Sequence, residues 1–393
     1  MGQRDPRIAV VGAGIAGLTV AAGLTRLGLA STVFEQAPQL GEVGAGLQLA
    51  PNAVRLLRRL GLGRELDRVA VRPEAIEMRR WQDGELIMVT ELGDACEQRY
   101  GAPYYTVHRA DLHRCLRALL PDDPVRLGRR CRSVSERPDG VELGFDTGEG
   151  HRADLVVGAD GIHSVVRAAL LPDRPRFSGE TIYRGLVRAD RLPSLAERPR
   201  VRLWLGPGRH VVCYPVSGGD WISFGATVPA DDWQVESWSA EADPGELRKA
   251  YQGWHPDVVN LLAEADPVRR WALHDRDAVD RWSTDRLTLV GDAAHPMLPF
   301  FAQGANQAVE DAFALAACLA RTDGGVAGAL RRYEEVRAPR VAQVHQRSRG
   351  NATALHLPDG VAQRDRDAAL RHRADLSHQD WLYGHDAELV GTG

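Results

Sequence analysis

Ile8-Ala9-Val10-Val11-Gly12-Ala13-Gly14-Ile15-Ala16-Gly17-Leu18 is the stretch on which the fold turns. Its four leading apolar residues end on a glycine, the pattern of a strand buried on both faces of a parallel sheet. Ala and Leu then recur at helical spacing from Gly14 to Leu27, and Gly28 closes that helix. Ser31 to Phe34 is a second β-branched run, ending at Glu35. Gly12, Gly14 and Gly17 therefore fit GxGxxG in a strand–turn–helix–strand context. The first glycine permits the tight turn, the second lets backbone approach a pyrophosphate, and the third lets helix and strand pack closely. The helix N-terminus, with Ala16 in its first turn, faces the phosphates. Glu35 is placed to accept ribose hydroxyls, with Gln36 beside it. This unit binds a dinucleotide, and FAD and NAD share the fingerprint.

Two later motifs choose between them. Asp160-Gly161 follows the buried run Asp154 to Val157, and Gly291-Asp292 follows Leu287 to Val290. A carboxylate fixed at a strand's C-terminal end suits a polyol hydroxyl, and FAD carries a ribityl chain that NAD lacks. After Asp292 come His295-Pro296-Met297-Leu298-Pro299, then Gln303-Gly304-Ala305-Asn306 at a helix start. Gly and Ala allow close backbone approach there, and the helix dipole favours the negative charge of a reduced flavin.

Between these motifs the texture changes. Tyr183 to Val228 alternates and is rich in Trp, Tyr and Val, with turn signals at Gly206-Pro207-Gly208 and Ser217-Gly218-Gly219-Asp220, which predicts an antiparallel sheet. Helices are expected at Asn52–Leu60 (ended by Gly61), Val107–Leu120 (stopped by Pro121), Pro244–Ala263 and from about Asn306. After Ala338 the chain reads as helical, then polar and irregular. The expected fold is α/β: a discontinuous Rossmann-like FAD-binding domain (1–75, 101–175 and 276–345), an inserted antiparallel-sheet substrate domain (76–100 and 176–275), and a helical C-terminal segment with its tail (346–393).

Composition narrows the class. The chain has 393 residues and a net charge of −4 with no long run of one sign, so a nucleic-acid surface is not expected. The five cysteines (Cys96, Cys115, Cys131, Cys213 and Cys318) are odd in number and form no CxxC, which argues against a disulfide framework or a metal site and fits a reducing cytoplasm. No signal peptide is expected at the polar Met1–Arg7 start. No apolar stretch reaches the roughly 18 residues of a membrane span.

The sequence resembles the single-component FAD-dependent aromatic hydroxylases, the para-hydroxybenzoate hydroxylase superfamily, and within it the salicylate hydroxylase and 3-hydroxybenzoate 6-hydroxylase branch. The resemblance covers about residues 7 to 385. It is carried by VGAGIAGL (Val11–Leu18), EVGAGLQLAPNA (Glu42–Ala53), HRADLHRCL (His108–Leu116), GADGIHSVVR (Gly158–Arg167), GDAAHPMLPFFAQGANQAVEDA (Gly291–Ala312) and DWLYGHDA (Asp380–Ala387). It implies that Arg109 contacts the flavin diphosphate, the alternative being a surface Arg paired with Asp111 or Glu97. Val43 and Gly44 would line the flavin by backbone, although no Arg stands in the Glu42–Leu49 loop where some relatives carry one. It further implies FAD as cofactor, with NADH or NADPH visiting transiently as reductant, and hydroxylation of a small phenolic or hydroxylated heteroaromatic ring through a flavin hydroperoxide. Homodimers are common in that family, and the sequence itself leaves the oligomeric state open.

A phenol reacts better as phenolate, so a base with a pKa near neutral is useful, and histidine suits it. His210 and Tyr214 are four apart on a predicted strand, which puts both on one face. The resemblance points that face at the substrate, with His210 as base and Tyr214 as orienter; the alternative is a pair of half-buried sheet residues. Gln303 would bond a substrate carboxylate or hydroxyl, or else cap its helix. Gln48 would face the ring from the other side, with Pro299 at both flavin and substrate. Arg184 would serve the nicotinamide or the substrate, or join a domain-interface ion pair. His295 reads as a loop-fixing residue, and His163 as structural or near the reductant. Two other functions remain open on these motifs: an epoxidase or other non-aromatic monooxygenase of the same fold, and a flavin-bound protein without turnover.

Overall fold

The computed structural model describes residues 6–41, 45–121, 124–230, 242–321 and 324–392. Its central sheet is parallel and five-stranded, in the order Leu287–Leu289, Leu155–Gly158, Ile8–Val11, Ser31–Phe34, Val125–Arg126. Ile8–Val11 is buried throughout because strands flank it on both sides and it lies inside the main hydrophobic core. Gly12 turns with φ +105°, and a β-carbon there would strike the Ala159 carbonyl oxygen. One on Gly17 would fall on the Gly12 carbonyl oxygen, so the helix Ile15–Arg26 lies against the turn only because both residues are glycine.

The second large sheet has seven strands: Arg269–Asp275, Arg176–Arg188, Trp221–Pro229, Arg209–Val216, Arg200–Gly206, Ala75–Arg80 and Leu86–Glu91. The antiparallel expectation holds for every joint but one. Arg200–Gly206 runs parallel to Ala75–Arg80. The two strands come from distant parts of the chain, so no hairpin dictates their direction. A two-stranded ribbon, Gly46–Leu49 against Tyr105–His108, links the two sheets. Thr106 donates to the Pro215 carbonyl at 2.6 Å, and the Gly46 amide donates to Ser223 Oγ at 2.9 Å.

Several local expectations shift. The run from Val107 splits into a strand and the helix Arg109–Ala118. The helix that starts at Pro51 does break at Gly61, whose φ of +96° lies outside helical geometry, but helical turns resume at once and reach Val69. Pro244–Ala263 is two helices, broken around Gly253. Cys131–Arg137, Gly140–Phe145 and Gly150–Ala153 form a small antiparallel sheet that the sequence reading passed over. The tail is far more helical than its polarity suggests, with Gly325–Ala354 followed by Val361–Arg371 and three short turns. Ion pairs hold it down. Asp380 takes a two-pronged bond from Arg99 at 2.6 Å, and Asp386 pairs with Arg59. Among the described residues no helix is long and apolar enough to cross a membrane.

Candidate active site

Two cavities open along the C-terminal ends of the parallel strands. The larger, about 620 Å³, is lined by Gly12, Gly14, Glu35, Gln36, Arg109, His113, Asp160 and Gly161 among others. The second, about 270 Å³, lies between the sheets and is lined by Gly14, Ala16, Gln48, Arg109, Gly161, Arg184, His210, Tyr214, Asp292, Pro299, Gln303, Gly304 and Ala305 among others. Gly14, Arg109, Ala159 and Gly161 border both, so the two form one slot.

At the first end the glycine turn is held from both sides. Glu35 accepts from the amides of Ala13 and Ala37, each at 2.8 Å, and His113 Nε2 donates to the Ala13 carbonyl at 2.7 Å. His113 escaped the sequence reading. The available signal was its place four residues after Arg109, on the same helical face. Gly14 differs from its neighbours, because a β-carbon there would meet nothing within 4 Å. Glycine is kept where the protein itself offers no obstacle, which reserves the space for a ligand's phosphates at the helix N-terminus. The same holds at Gly304, where a β-carbon would find only Asp292 Oδ1, at 3.9 Å.

The two strand-end aspartates separate. The Asp160 carboxylate takes the Ser164 hydroxyl and the amides of Val165 (2.7 Å) and Val166 (3.3 Å), so it caps the helix Val165–Leu170 rather than standing free for a polyol. Asp292 faces the second cavity. Desolvation there raises its pKa, with His295 and Arg109 pulling the other way. Arg167 joins the two motifs physically, its guanidinium donating to the carbonyls of Ala293 (3.0 Å) and Ala294 (2.5 Å). His295 fixes its loop as expected, bonding Asp311 at 2.5 Å.

Asn306 corrects an expectation. Its Oδ1 accepts from Ala50 N at 2.8 Å, and its Nδ2 donates to the carbonyls of Gln48 (3.0 Å) and Ala302 (2.8 Å). Its side chain is thus a brace between helix and ribbon, fully buried and off the cavity wall. Gln303 does reach the cavity. Its Oε1 is held by Asn52 (3.2 Å) and Gln307 (3.3 Å), which leaves its amide NH2 for a ligand. Val43 and Gly44 lie outside the described residues.

His210 and Tyr214 share a face of Arg209–Val216 and both line the cavity. The expectation of a base with a near-neutral pKa fails for His210 alone. Burial, and secondarily the neighbouring His356, drive its pKa well below the ordinary histidine value, so the ring is neutral. Burial raises the Tyr214 pKa, while Arg184 and hydrogen bonds with Ser223 and Gln48 pull it down. Gln48 Oε1 in turn accepts from Tyr104 at 2.8 Å. Arg184 joins no ion pair among the described residues; its guanidinium sits over the Trp271 ring at 5.0 Å. A slot with a phosphate cradle at one end, a fixed carboxylate midway and polar side chains around an apolar ring site fits FAD and an aromatic substrate. When bound, FAD takes electrons from NAD(P)H and supplies the activated oxygen; the residues around it orient the ring and handle protons.

The chain matches the family model described as FAD binding domain over residues 5–348. A 3-amino-4-hydroxybenzoate 2-monooxygenase of Streptomyces platensis is 54% identical over 387 residues, with 98% of each chain covered. A 3-hydroxybenzoate 6-hydroxylase of Klebsiella oxytoca is 36% identical over 387 residues, with 96% of each covered. Klebsiella pneumoniae HpxO, solved with FAD and uric acid, has a TM-score of 0.84 at 28% identity, over 98% of this chain and 97% of that one. The parallel sheet, the inserted sheet and the helical C-terminal segment are those of FAD hydroxylases. These likenesses run nearly end to end, and the chain therefore belongs to the FAD-binding-domain family, as a flavoprotein monooxygenase that uses NAD(P)H to hydroxylate aromatic rings.

Proposed function

We propose that the substrate is a benzoate bearing adjacent amino and hydroxyl groups, 3-amino-4-hydroxybenzoate or a near analogue, hydroxylated at C2. The observation that carries this reading is Arg184, a cation on the cavity wall with no carboxylate partner among the described residues. Arginine keeps its charge in such a setting and grips a carboxylate in two-pronged fashion. The substrate carboxylate takes that place. Tyr214, Gln48 and the Gln303 amide meet the polar edge of the ring, and Phe300, Leu298 and Val212 cover its faces. C2 is ortho to the amino group, whose lone pair feeds charge to it; the 4-hydroxyl is meta to C2, and its ionisation adds charge to the ring as a whole rather than to C2 by resonance. The 54% identity to an enzyme named for that substrate supports the choice.

The remaining roles follow the same reading: Gly12, Gly14, Glu35 and Arg109 on the ADP half, Asp292 on the ribityl chain, Gly304 and Ala305 at the pyrimidine. A homodimer in the cytoplasm goes with it, supported by the habit of the family and by five cysteines that are all free thiols. The test is a panel of 3-amino-4-hydroxybenzoate, 4-hydroxybenzoate, salicylate, 6-hydroxynicotinate and 2-aminophenol. The expected outcome is that the first stimulates NAD(P)H oxidation most strongly and gains one oxygen by mass. A different preferred ring, or oxidation without oxygenated product, overturns the assignment.

A further inference from the structure

His210 Nδ1 lies 2.7 Å from His356 Nε2, and His356 Nδ1 lies 2.8 Å from Glu180 Oε1. The three side chains form an unbroken line from the substrate cavity outward. His210 is on the cavity wall, His356 is buried, and the Glu180 side chain is 20% exposed. Each link comes from a different element: Glu180 from the strand Arg176–Arg188, His210 from Arg209–Val216, and His356 from just beyond the helix Gly325–Ala354. The line is held in place. The Gly208 amide donates to the His356 carbonyl at 2.9 Å, and Thr227 Oγ1 sits 3.2 Å from His210 Nδ1 and 3.3 Å from His356 Nε2. Tyr251 donates to the His210 carbonyl at 3.0 Å, and the Phe300 ring stands edge-on to both imidazoles.

We propose that Glu180, His356 and His210 are a proton relay that carries the substrate's hydroxyl proton from the cavity to the protein surface. This rests on the aromatic substrate reading above. The order of bonds sets the tautomers. Glu180, as carboxylate, accepts from His356 Nδ1–H, so the Nε2 of neutral His356 is an acceptor. His210 Nδ1–H then donates to it, and His210 Nε2 carries the lone pair. That Nε2 makes no hydrogen bond among the described residues, on a ring that lines the cavity. When the substrate O–H bond breaks, its electron pair stays on oxygen and an Nε2–H bond forms on His210. The His210 Nδ1 proton moves to His356 Nε2, and the His356 Nδ1 proton moves to Glu180. Glu180 Oε2 is buried and has no partner among the described residues, so the carboxyl has a free oxygen to hold the proton, and release to water requires the partly exposed side chain to turn that oxygen outward. One proton leaves and no electron count changes. The relay also resolves the weakness of His210 as a base, because the charge does not stay on its buried ring. The charged and titratable groups facing the line are Tyr214 and Arg184 across the cavity, Tyr251 behind His210, and Glu180 itself. In this scheme His210 is catalytic, while His356 and Glu180 act through it.

The test uses FAD-loaded enzyme and 4-hydroxy-3-nitrobenzoate, whose phenolate is coloured. Bound to the wild type, this probe ionises at a lower pH than in H356Q or E180Q, the difference being about one pH unit, which is tenfold in the ionisation constant. Hydroxylation by both variants falls about tenfold or more below pH 7 and recovers as the pH rises, with KM for substrate little changed. E180D restores part of the loss. A merely structural role lowers activity evenly across pH and leaves the probe's ionisation where it was, and that result overturns the relay. E180Q, at the outer end of the line, carries the test if H356Q does not fold. Failure of the substrate assignment shows separately, as a wild type that prefers another ring in the panel; the relay is then read with the nitrophenol analogue of that ring.

Discussion

The Asp311 carboxylate accepts the Gly291 amide at 2.9 Å, and so ties the strand end that carries Asp292 to the helix that begins at Gly304. The same carboxylate bonds His295 and Arg337. These groups are buried, and buried Glu310 and Gln307 with the partly buried Arg340 complete the cluster. Removing one partner of a buried ion pair leaves an uncompensated charge, at a cost of about 3–5 kcal/mol. We therefore expect Asp311→Ala to lower the thermal midpoint strongly and to purify with less FAD, because the loop holding Asp292 loses its anchor.

Acid should attack the same cluster. Burial alone would raise the Glu310 pKa, but Arg337 and Arg340 outweigh it and bring it to about 2, from an ordinary 4.5. A folded-state pKa below the unfolded one gives stability that is complete above pH 4.5 and drains away as the pH falls toward 2. The amount for this one group is of the order of 3 kcal/mol. Urea midpoints measured across that window should fall steeply for the wild type. Glu310→Gln should be less stable at neutral pH and show a shallower fall.

The glycine turn was legible in the sequence because its chemistry is local: a buried strand, three glycines and a helix are consecutive. The His210–Tyr214 face was legible for the same reason, through strand periodicity. Asp160 was not, since it reads as a polyol ligand until its bonds to Ser164, Val165 and Val166 are seen. What stayed hidden depends on distant chain. The parallel joint between Ala75–Arg80 and Arg200–Gly206 has no turn to announce it. Asn306 reads as a helix-start ligand until Ala50 and Gln48 are seen to saturate its amide. His356 stands between Leu355 and Leu357 just past a helix end, with nothing local to announce its packing against His210, which lies on a strand far upstream.

Gly14 and Gly17 should respond differently to the same substitution. A β-carbon on Gly17 meets the Gly12 backbone, which cannot step aside, so Gly17→Ala should damage the fold itself. At Gly14 the apoprotein has room, yet the residue borders both cavities. Gly14→Ala should give apoprotein with a near wild-type melting curve and much weaker FAD binding. Flavin titration of apoprotein, paired with thermal unfolding, separates the two.

Asp160 and Asp292 form a second contrasting pair. Asp160→Ala deletes a helix cap, which costs about 1 kcal/mol of apoprotein stability. Asp292 makes no hydrogen bond of comparable kind among the described residues, and its carboxylate is exposed at the cavity wall. Asp292→Ala should leave the apoprotein as stable as the wild type, or slightly more so, and raise the FAD dissociation constant. Equal effects of both substitutions on flavin affinity would refute this division of labour.

Arg184 is where substrate choice can be tested by subtraction. Its guanidinium rests on Trp271 and reaches the cavity without an ion-pair partner among the described residues, so the charge is free to recognise a carboxylate. A hydrogen bond to a charged group contributes about 1.5–3 kcal/mol, equivalent to roughly tenfold to hundredfold in affinity. Arg184→Gln should raise the dissociation constant of 3-amino-4-hydroxybenzoate by that factor, read from the absorbance change of oxidised holoenzyme. 2-Aminophenol is the same ring without the carboxylate, and its affinity should not change. Arg184→Lys should recover only part of the loss, since a point charge cannot reproduce the two-pronged grip. If 2-aminophenol weakens as much as the benzoate does, Arg184 shapes the cavity through its stacking on Trp271, and the carboxylate is held elsewhere.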